Sequence, residues 1–170
     1  MGYFNRIIRA GRKRGLDAIC ILDHIGTPKF WDVYSKLDSI YEYNDFYYDL
    51  NGFKVFTGIE ISITGKAHIA LMGSKDDIRL FDRSFPKPLS EGYIPSINEV
   101  FENADRFVFL KIAVHPFRPN KPLPNIEKGV LEKLDFIELN AKDIRFKNHT
   151  YKLANSIGKQ VLGGSDTHHP

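Results

Sequence analysis

Short apolar runs that end in a histidine or a carboxylate recur along this sequence, and helical patterns separate them. The run 18–22 (AICIL) ends in Asp23-His24, and the run 106–114 ends in His115. Continuous apolar runs are typical of strands that are covered on both faces. Strands that alternate with helices predict a largely parallel sheet or barrel, in which ligands bind at the carboxyl ends of the strands. A single histidine at such an end is more often structural, so the hypothesis depends on several of them.

A further candidate pair lies on a predicted hairpin. The run 53–59 ends in Glu60, the segment 64–66 (TGK) turns the chain, and the return strand begins near His68. Glu60 and His68 are therefore expected on neighbouring strands. An ionised carboxylate between two isoleucines needs a partner. A metal ion and an Arg or Lys side chain both meet that need, and both alternatives stay open.

A further apolar run near the end of the sequence is also followed by a carboxylate and a histidine. The run 161–164 (VLGG) predicts the end of a buried strand, and its two glycines permit a tight turn or the close approach of another group. Asp166 and His168 are two residues apart, so in an extended chain their side chains leave the same face. A carboxylate oxygen beside an imidazole suits a divalent transition metal. A polar surface turn is the alternative.

Helical patterns fill the intervals between the apolar runs. Ser96 with Glu99 forms a capping box for a helix through Ala104. A strand over 135–139 carries Glu138 and ends in Asn140. Apolar spacing predicts further helices over 3–14, 30–43, 126–134 and 148–157, and one helical turn over 76–81. The first of these helices is rich in arginine, which indicates either a phosphate-binding patch or an ordinary solvated face.

Composition limits the class of protein. The chain has 170 residues, 42% hydrophobic and 26% charged, which fits one soluble domain spanning 1–170. The net charge of +3 is compatible with an anionic substrate such as a phosphate ester and is too weak to indicate nucleic acid alone. Cys20 is expected in the core. No run approaches the roughly 18 apolar residues of a membrane span, and no signal peptide is evident, so a cytoplasmic location is expected.

The polar strand ends together predict a metal centre. Four of the six histidines fall at predicted strand ends or on the return strand of the hairpin. Imidazole with carboxylate and no thiolate suits zinc, manganese or iron. Two such ions can hold a phosphate, activate water and neutralise a leaving oxygen. His149 lies within a predicted helix and is expected at the surface.

The same segments resemble those of a known family, the PHP domain of polymerases and histidinol phosphatases. The resemblance spans most of the chain, in the order of the family, and rests on LDH at 22–24, GIEIS at 58–62, AHI at 67–69, VHP at 114–116, IELN at 137–140 and GGSDTH at 163–168. It implies a distorted seven-stranded βα barrel of the α/β class, with a cluster of up to three divalent ions at its carboxyl rim.

The resemblance also implies roles for particular residues. Metal ligation is carried onto His24, Glu60, His68, His115, Asp166 and His168, with Glu60 bridging two ions. Among these, His24, His115 and Asp166 are expected to be catalytic. Asp23 and Asn140 are expected to support the ligands from outside. Arg118 is a candidate contact for the substrate phosphate, with an exposed loop position as the alternative, and His169 has no counterpart among the ligands.

One departure from the family pattern is clear. Family members open with a strand that ends in a His-x-His pair, and no such pair precedes the first predicted helix here. We therefore expect an incomplete barrel that lacks its first strand, in a domain truncated at both ends. An unpaired sheet edge and one or two under-ligated metal positions would follow.

Three functional hypotheses result. The first is a metal-dependent phosphoesterase that hydrolyses phosphate mono- or diesters with a metal-activated water, acting on a phosphorylated small molecule or a nucleic-acid end. The second is a catalytically impaired PHP-like module that serves as a binding or interaction domain. The third is a different metallohydrolase, such as an amidohydrolase-like barrel, but that fold requires a His-x-His pair and a bridging modified lysine, and the sequence indicates neither.

Overall fold

The computed structural model describes residues 2–27, 29–123 and 126–167. Within these ranges the α-helices are α1 (Gly2–Lys13), α2 (Phe30–Asp38), α3 (Lys75–Asp82), α4 (Ile97–Ala104), α5 (Lys128–Leu131) and α6 (Lys147–Ser156). The strands are β1 (Ala18–Cys20), β2 (Tyr43–Asn44), β3 (Tyr47–Leu50), β4 (Phe53–Phe56), β5 (Gly58–Ser62), β6 (His68–Met72), β7 (Leu110–Ala113), β8 (Phe136–Asn140) and β9 (Gln160–Gly164). Short 3₁₀ helices lie at Leu89–Glu91 and Ala141–Phe146.

The strands form two sheets. The first has the order β1-β4-β3-β2, in which β1 and β4 are parallel and the other pairs are antiparallel. The second has the order β5-β6-β7-β8-β9, in which the last three strands are parallel. The α/β class expected from the sequence is confirmed. A seven-stranded barrel is not established by this arrangement and stays a prediction.

The two sheets are joined where β1 runs on towards β5. Cys20 pairs with Phe56 at the end of the first sheet, an offset of 36 positions, and His24 pairs with Glu60 at the same offset. The backbone N–H of Glu60 also donates to the carbonyl of Asp23, at 2.9 Å. The polar end of the first apolar run is therefore in register with the carboxylate of β5.

Alternation along the strands of the second sheet separates two apolar faces. Ile69 and Leu71 of β6 belong to the main core, which also takes the buried faces of the helices. Ala70, between them, belongs to a second and smaller cluster with Ile112 and Val114. Since successive side chains of a strand point to opposite faces, the small cluster marks the other face of the sheet.

The predicted helix boundaries are confirmed where capping fixes them. Ser96 accepts from the backbone N–H of Glu99, and Glu99 in turn accepts from the backbone N–H of Ser96, so α4 begins and ends as expected. Helix α1 buries Ile8 and ends before Gly15, which adopts a φ of 75°. The hairpin turn at 64–66 also forms as expected, between β5 and β6.

Several predicted boundaries are wrong, because tertiary pairing overrides the local pattern. The run 53–59 divides at Thr57, whose hydroxyl donates to the carbonyl of Gly73 at 2.5 Å, and β4 and β5 enter different sheets. The helix expected over 30–43 ends at Asp38, since Tyr43 pairs with Tyr48 in a strand instead.

Other elements differ in length. The strand expected over 106–114 is limited to β7, and the helix expected over 126–134 is limited to the four residues of α5. The turn at 76–81 extends to the full helix α3. The two glycines of the run 161–164 lie within β9 rather than in a turn.

In the described part of the chain, the edge strands of the two sheets are β1, β2, β5 and β9. The unpaired edge expected from a missing first strand stays a prediction. Among the described residues, no helix combines the length and the apolarity required to span a membrane.

Candidate metal centre

Glu60 occupies the centre of β5, on the face opposite the main core. Its neighbours Ile59 and Ile61 are buried in that core, whereas Glu60 itself is paired with Ala70 of the small cluster. The side chain of Glu60 is only 13% exposed. A carboxylate in this position requires partners, and the surrounding strands supply them as imidazoles.

Three histidines converge on one oxygen of this carboxylate. The Nδ1 atom of His68 forms a hydrogen bond with Oε1 of Glu60. The Nε2 atom of His115 lies 3.3 Å from the same oxygen, and the Nε2 atom of His24 lies 3.8 Å from it. Ligand atoms of His24, Glu60 and His68 all lie within 4.8 Å of one another. Three separate strand ends therefore deliver their side chains to one point.

The ring contacts show how closely the imidazoles pack. The rings of His24 and His68 are perpendicular, with centroids 4.7 Å apart, and those of His68 and His115 are 5.1 Å apart. His68 and His115 are buried, whereas the side chain of His24 is 40% exposed. The cluster is therefore closed on the side of the sheet and open at His24.

The backbone holds His115 in an unusual conformation. His115 follows β7 with a φ of 34°, and its backbone N–H donates to Oε2 of Glu138 at 2.6 Å. The side chain of Asn140 donates to the other oxygen of Glu138, at 3.1 Å. A Cβ atom at Gly164 would overlap this carboxylate, so the glycine of β9 permits the close approach that the sequence suggested. Glu138 thereby fixes the position of His115.

Electrostatics distinguish the two buried carboxylates. Burial alone would raise the pKa of Glu60, but the hydrogen bonds from His115 and His68 outweigh it and hold that pKa well below its usual range. Burial raises the pKa of Glu138. Burial also lowers the pKa of His24, which favours the neutral imidazole. A neutral imidazole and an ionised carboxylate are the forms that ligate metals.

The donor set fits a divalent metal ion. Three imidazoles and one carboxylate are ligands typical of zinc, manganese and iron sites. Within the described part of the chain, the buried Nδ1 atom of His115 lacks a hydrogen-bond partner, and such an atom in a native structure calls for an explanation such as an ion. The residues that would hold a metal are His24, Glu60, His68 and His115.

Asp166 lies in a second cluster on the segment after β9. Its Oδ2 atom is 2.6 Å from Nη1 of Arg118 and 3.2 Å from Nζ of Lys142. Burial would raise the pKa of Asp166, but the hydrogen bonds from Arg118 and Lys142 outweigh it and lower that pKa. The expected metal ligation by Asp166 and the expected phosphate contact of Arg118 both stay predictions.

The remaining predicted residues have different surroundings. Asp23 accepts from the backbone N–H of His24 at 2.8 Å and supports the chain rather than the ring. Asn140 contacts Glu138, as described. His149 is exposed, as expected, and contacts the rings of Phe117 and Phe146. His168 and His169 lie outside the described residues.

Two residues were missed as members of the site. Glu138 was predicted only as a strand residue, and its position two residues after Phe136, on the small-cluster face of β8, could have indicated its direction. Asp143 holds Arg118 and carried no sequence signal, because it lies in an irregular 3₁₀ segment that follows β8.

Comparisons with known proteins identify the class of fold. No family model matches the sequence, and a search of curated proteins gave no match. Solved structures do match, at 16–20% identity, and at the level of the fold they confirm the resemblance drawn from the sequence motifs.

Three of these structures define the similarity. PsfC from Pseudomonas syringae PB-5123 has a TM-score of 0.83 at 19% identity, over 99% of this chain and 68% of that one. Endonuclease Q in complex with a 27-mer duplex substrate has a TM-score of 0.62 at 20% identity, over 79% of this chain and 36% of its own. A candidate metal-dependent phosphoesterase from Bifidobacterium adolescentis has a TM-score of 0.59 at 16% identity, over 96% and 81%.

Proposed function

We propose that this protein is a metal-dependent phosphoesterase, a hydrolase of phosphate mono- or diesters. The observation that carries the proposal is the convergence of His24, His68 and His115 on Oε1 of Glu60. The similarity in fold to a candidate metal-dependent phosphoesterase and to endonuclease Q supports the same reaction class. The distorted, incomplete PHP-type barrel expected from the sequence is part of this proposal.

The roles of the residues follow from their geometry. Glu60 supplies the negative charge of the site, and His68 and His115 hold its carboxylate in a buried position. His24 closes the donor set on the side open to solvent. A divalent ion held there would activate water and polarise a phosphate oxygen. Glu138 fixes the backbone of His115 and so keeps its imidazole aimed at Glu60.

Further ligands belong to the same proposal. Asp166 is proposed to ligate an additional ion, because it follows β9 at the same rim as His115 follows β7. His168, which lies outside the described residues, is proposed as a further ligand from the sequence resemblance alone. Arg118 is proposed to contact the phosphate of the substrate. It lies three residues after His115, and its backbone N–H donates to the carbonyl of that histidine at 3.0 Å.

The proposed substrate is a phosphorylated small molecule or a nucleic-acid end. The structure of endonuclease Q, which has a similar fold, contains a duplex with an abasic lesion at the active site, and this favours a nucleic-acid phosphodiester. The present chain spans 36% of that protein, so surfaces that bind a duplex there need not be shared.

The direct test is hydrolysis with a defined metal. The full chain is freed of metal by chelation, reloaded with manganese, zinc or iron, and assayed with bis(p-nitrophenyl) phosphate and with p-nitrophenyl phosphate. We expect hydrolysis that depends on the added ion and falls at least ~100-fold in His115→Ala. His149→Ala, which removes an exposed imidazole on α6, is the control and should leave the activity unchanged.

The alternative function is a binding module without catalysis. The exposed arginines Arg6 and Arg9 of α1 favour it, because they offer a surface to an anionic partner. A chain that binds metal stoichiometrically but hydrolyses neither substrate with any of the three ions would support this alternative and exclude the phosphoesterase.

A further inference from the structure

Arg118 belongs to a cluster of charged side chains at the carboxyl ends of the parallel strands of the second sheet. The turns that follow three neighbouring parallel strands meet there: Arg118 follows β7, Lys142 and Asp143 follow β8, and Asp166 follows β9. Since the carboxyl ends of parallel strands lie at one edge of a sheet, the register of the second sheet fixes this meeting. The cluster contains two cations and two carboxylates.

Asp143 restrains the guanidinium of Arg118. Asp143 is buried, and its Oδ2 atom accepts from Nε of Arg118 at 2.9 Å and lies 2.8 Å from Nη2. The side chain of Arg118 is only 15% exposed. Because the guanidinium is planar, the hydrogen bond from Nε and the ion pair at Nη2 together set the direction of Nη1. Here Nη1 is directed at the oxygen of Asp166.

Lys142 directs a second donor at the same oxygen. Its Nζ atom lies 3.2 Å from Oδ2 of Asp166, and Nη1 of Arg118 lies 2.6 Å from the same oxygen. Lys142 also bonds the backbone carbonyl of Asp166. The two cations therefore converge on the position of a single anionic oxygen, and the carboxylate of Asp166 shows that the position accepts one.

We propose that Arg118 and Lys142 form an anion subsite for a non-bridging oxygen of the substrate phosphate, with Asp143 as the positioning residue that orients Arg118. The proposal rests on the proposed function, in which Asp166 turns to a metal ion and leaves the subsite to the substrate. In this subsite Lys142 contributes positive charge, and Asp143 orients the guanidinium of Arg118.

The test measures binding of inorganic phosphate and steady-state kinetics on the manganese-loaded full chain. We expect Lys142→Met to raise the Kd for inorganic phosphate by about tenfold, the usual effect of one charge-assisted hydrogen bond. KM for bis(p-nitrophenyl) phosphate should rise by a similar factor, while kcat changes by less than ~threefold. Lys142→Arg keeps the charge and should restore most of the affinity.

Asp143→Asn tests the positioning role. We expect a several-fold rise in the Kd for inorganic phosphate and in KM, with the manganese content unchanged, because the guanidinium loses a charged anchor but no ligand is removed. The matched control is Asp105→Asn with Lys133→Met. Asp105 contacts Lys111 and Lys133 beside the amino end of β7, at 2.6 Å and 3.7 Å, and its loss should leave phosphate binding as in the unmodified protein.

The outcomes separate the two proposals. If the unmodified chain binds manganese and phosphate but Lys142→Met and Asp143→Asn bind phosphate as tightly, the subsite is wrong and the phosphoesterase stands. If Asp143→Asn lowers thermal stability alone, the cluster is a structural ion pair and the subsite is equally wrong. If the unmodified chain binds no metal, the proposed function fails, and the subsite fails with it.

Discussion

Glu60 is the residue on which the candidate centre depends most. All three histidines of the cluster face its Oε1 atom, and its position on β5 keeps it away from the main core. Replacing the carboxylate with an amide removes the charge that attracts a cation and gives His68 an amide partner in place of a carboxylate.

We therefore predict that Glu60→Gln weakens manganese or zinc binding by at least ~100-fold, since a charged ligand is lost from a buried site. Isothermal titration of the metal-free chain measures this directly. Glu132→Gln, which changes a half-exposed carboxylate beside Lys128, is the control and should bind metal normally. Equal affinity in Glu60→Gln would exclude Glu60 as a ligand.

Two adjacent glycines of β9 give a second prediction at the scale of the residue. A Cβ atom at Gly164 would overlap the carboxylate of Glu138, whereas a Cβ atom at Gly163 would meet open space. We expect Gly164→Ala to lower the free energy of unfolding by ~1–3 kcal/mol and to weaken metal binding, because Glu138 must release the backbone of His115. Gly163→Ala should leave both nearly unchanged in urea unfolding and metal titration. Equal effects of the two substitutions would contradict this account.

At the scale of elements, an ion pair between the buried Lys75 and the partly exposed Asp38 connects α2, α3 and the first sheet. Lys75 begins α3 and is buried, with its ammonium 4.0 Å from the ring centre of Tyr43, and it is bonded to Asp38 at the end of α2. Tyr48 donates to the same carboxylate at 2.8 Å. Burial would raise the pKa of Asp38, but the hydrogen bonds from Lys75 and Tyr48 outweigh it and lower that pKa.

A carboxylate with a lowered pKa stabilises the fold fully above its ordinary pKa of 3.8, and this contribution is lost as the pH falls through the folded-state value. We predict that Asp38→Asn destabilises the protein at pH 7 and does so less at pH 3. Urea unfolding at both values measures the difference. Asp76→Asn, at an exposed position on α3, is the control. An effect of Asp38→Asn that is equal at the two values would exclude the linkage.

The elements also show why the sequence predicts some boundaries and not others. The capping box at Ser96 is a local signal, and α4 follows it. The strands β2 and β3 depend on pairing between Tyr43 and Tyr48, which the local pattern does not reveal. Thr57 divides one apolar run between two sheets through a bond to Gly73, a contact made only in the folded chain. A helix cap can therefore be predicted from the local sequence, whereas the local sequence does not show which strands pair with each other.

At the scale of the whole molecule, the convergence of His24, Glu60, His68 and His115 was predicted from their places at strand ends and on one hairpin. The bridge between His24 and Glu60 and the antiparallel pairing of β6 with β5 and with β7 bring these side chains together. The pairing of Asp166 with Arg118 was not predicted, because it depends on how the segments after the strands fold back at the rim.

A metal that binds only the folded protein stabilises the whole molecule. Excess manganese at about 100 times its Kd should add ~2.7 kcal/mol to the free energy of unfolding, and chelation should remove that increment. Thermal unfolding with and without chelator measures it. Glu60→Gln, whose metal binding is weakened, should lose most of this increment and unfold at nearly the same temperature in both conditions. A shift of equal size in Glu60→Gln would show that the stabilising metal lies elsewhere.

The most direct measurement is the anomalous difference map of a crystal of this chain grown with manganese or zinc. The account predicts a peak at ~2.0–2.2 Å from Oε1 of Glu60 and from imidazole nitrogens of His68 and His115. A stoichiometrically bound ion whose peak lies away from these three side chains would contradict it.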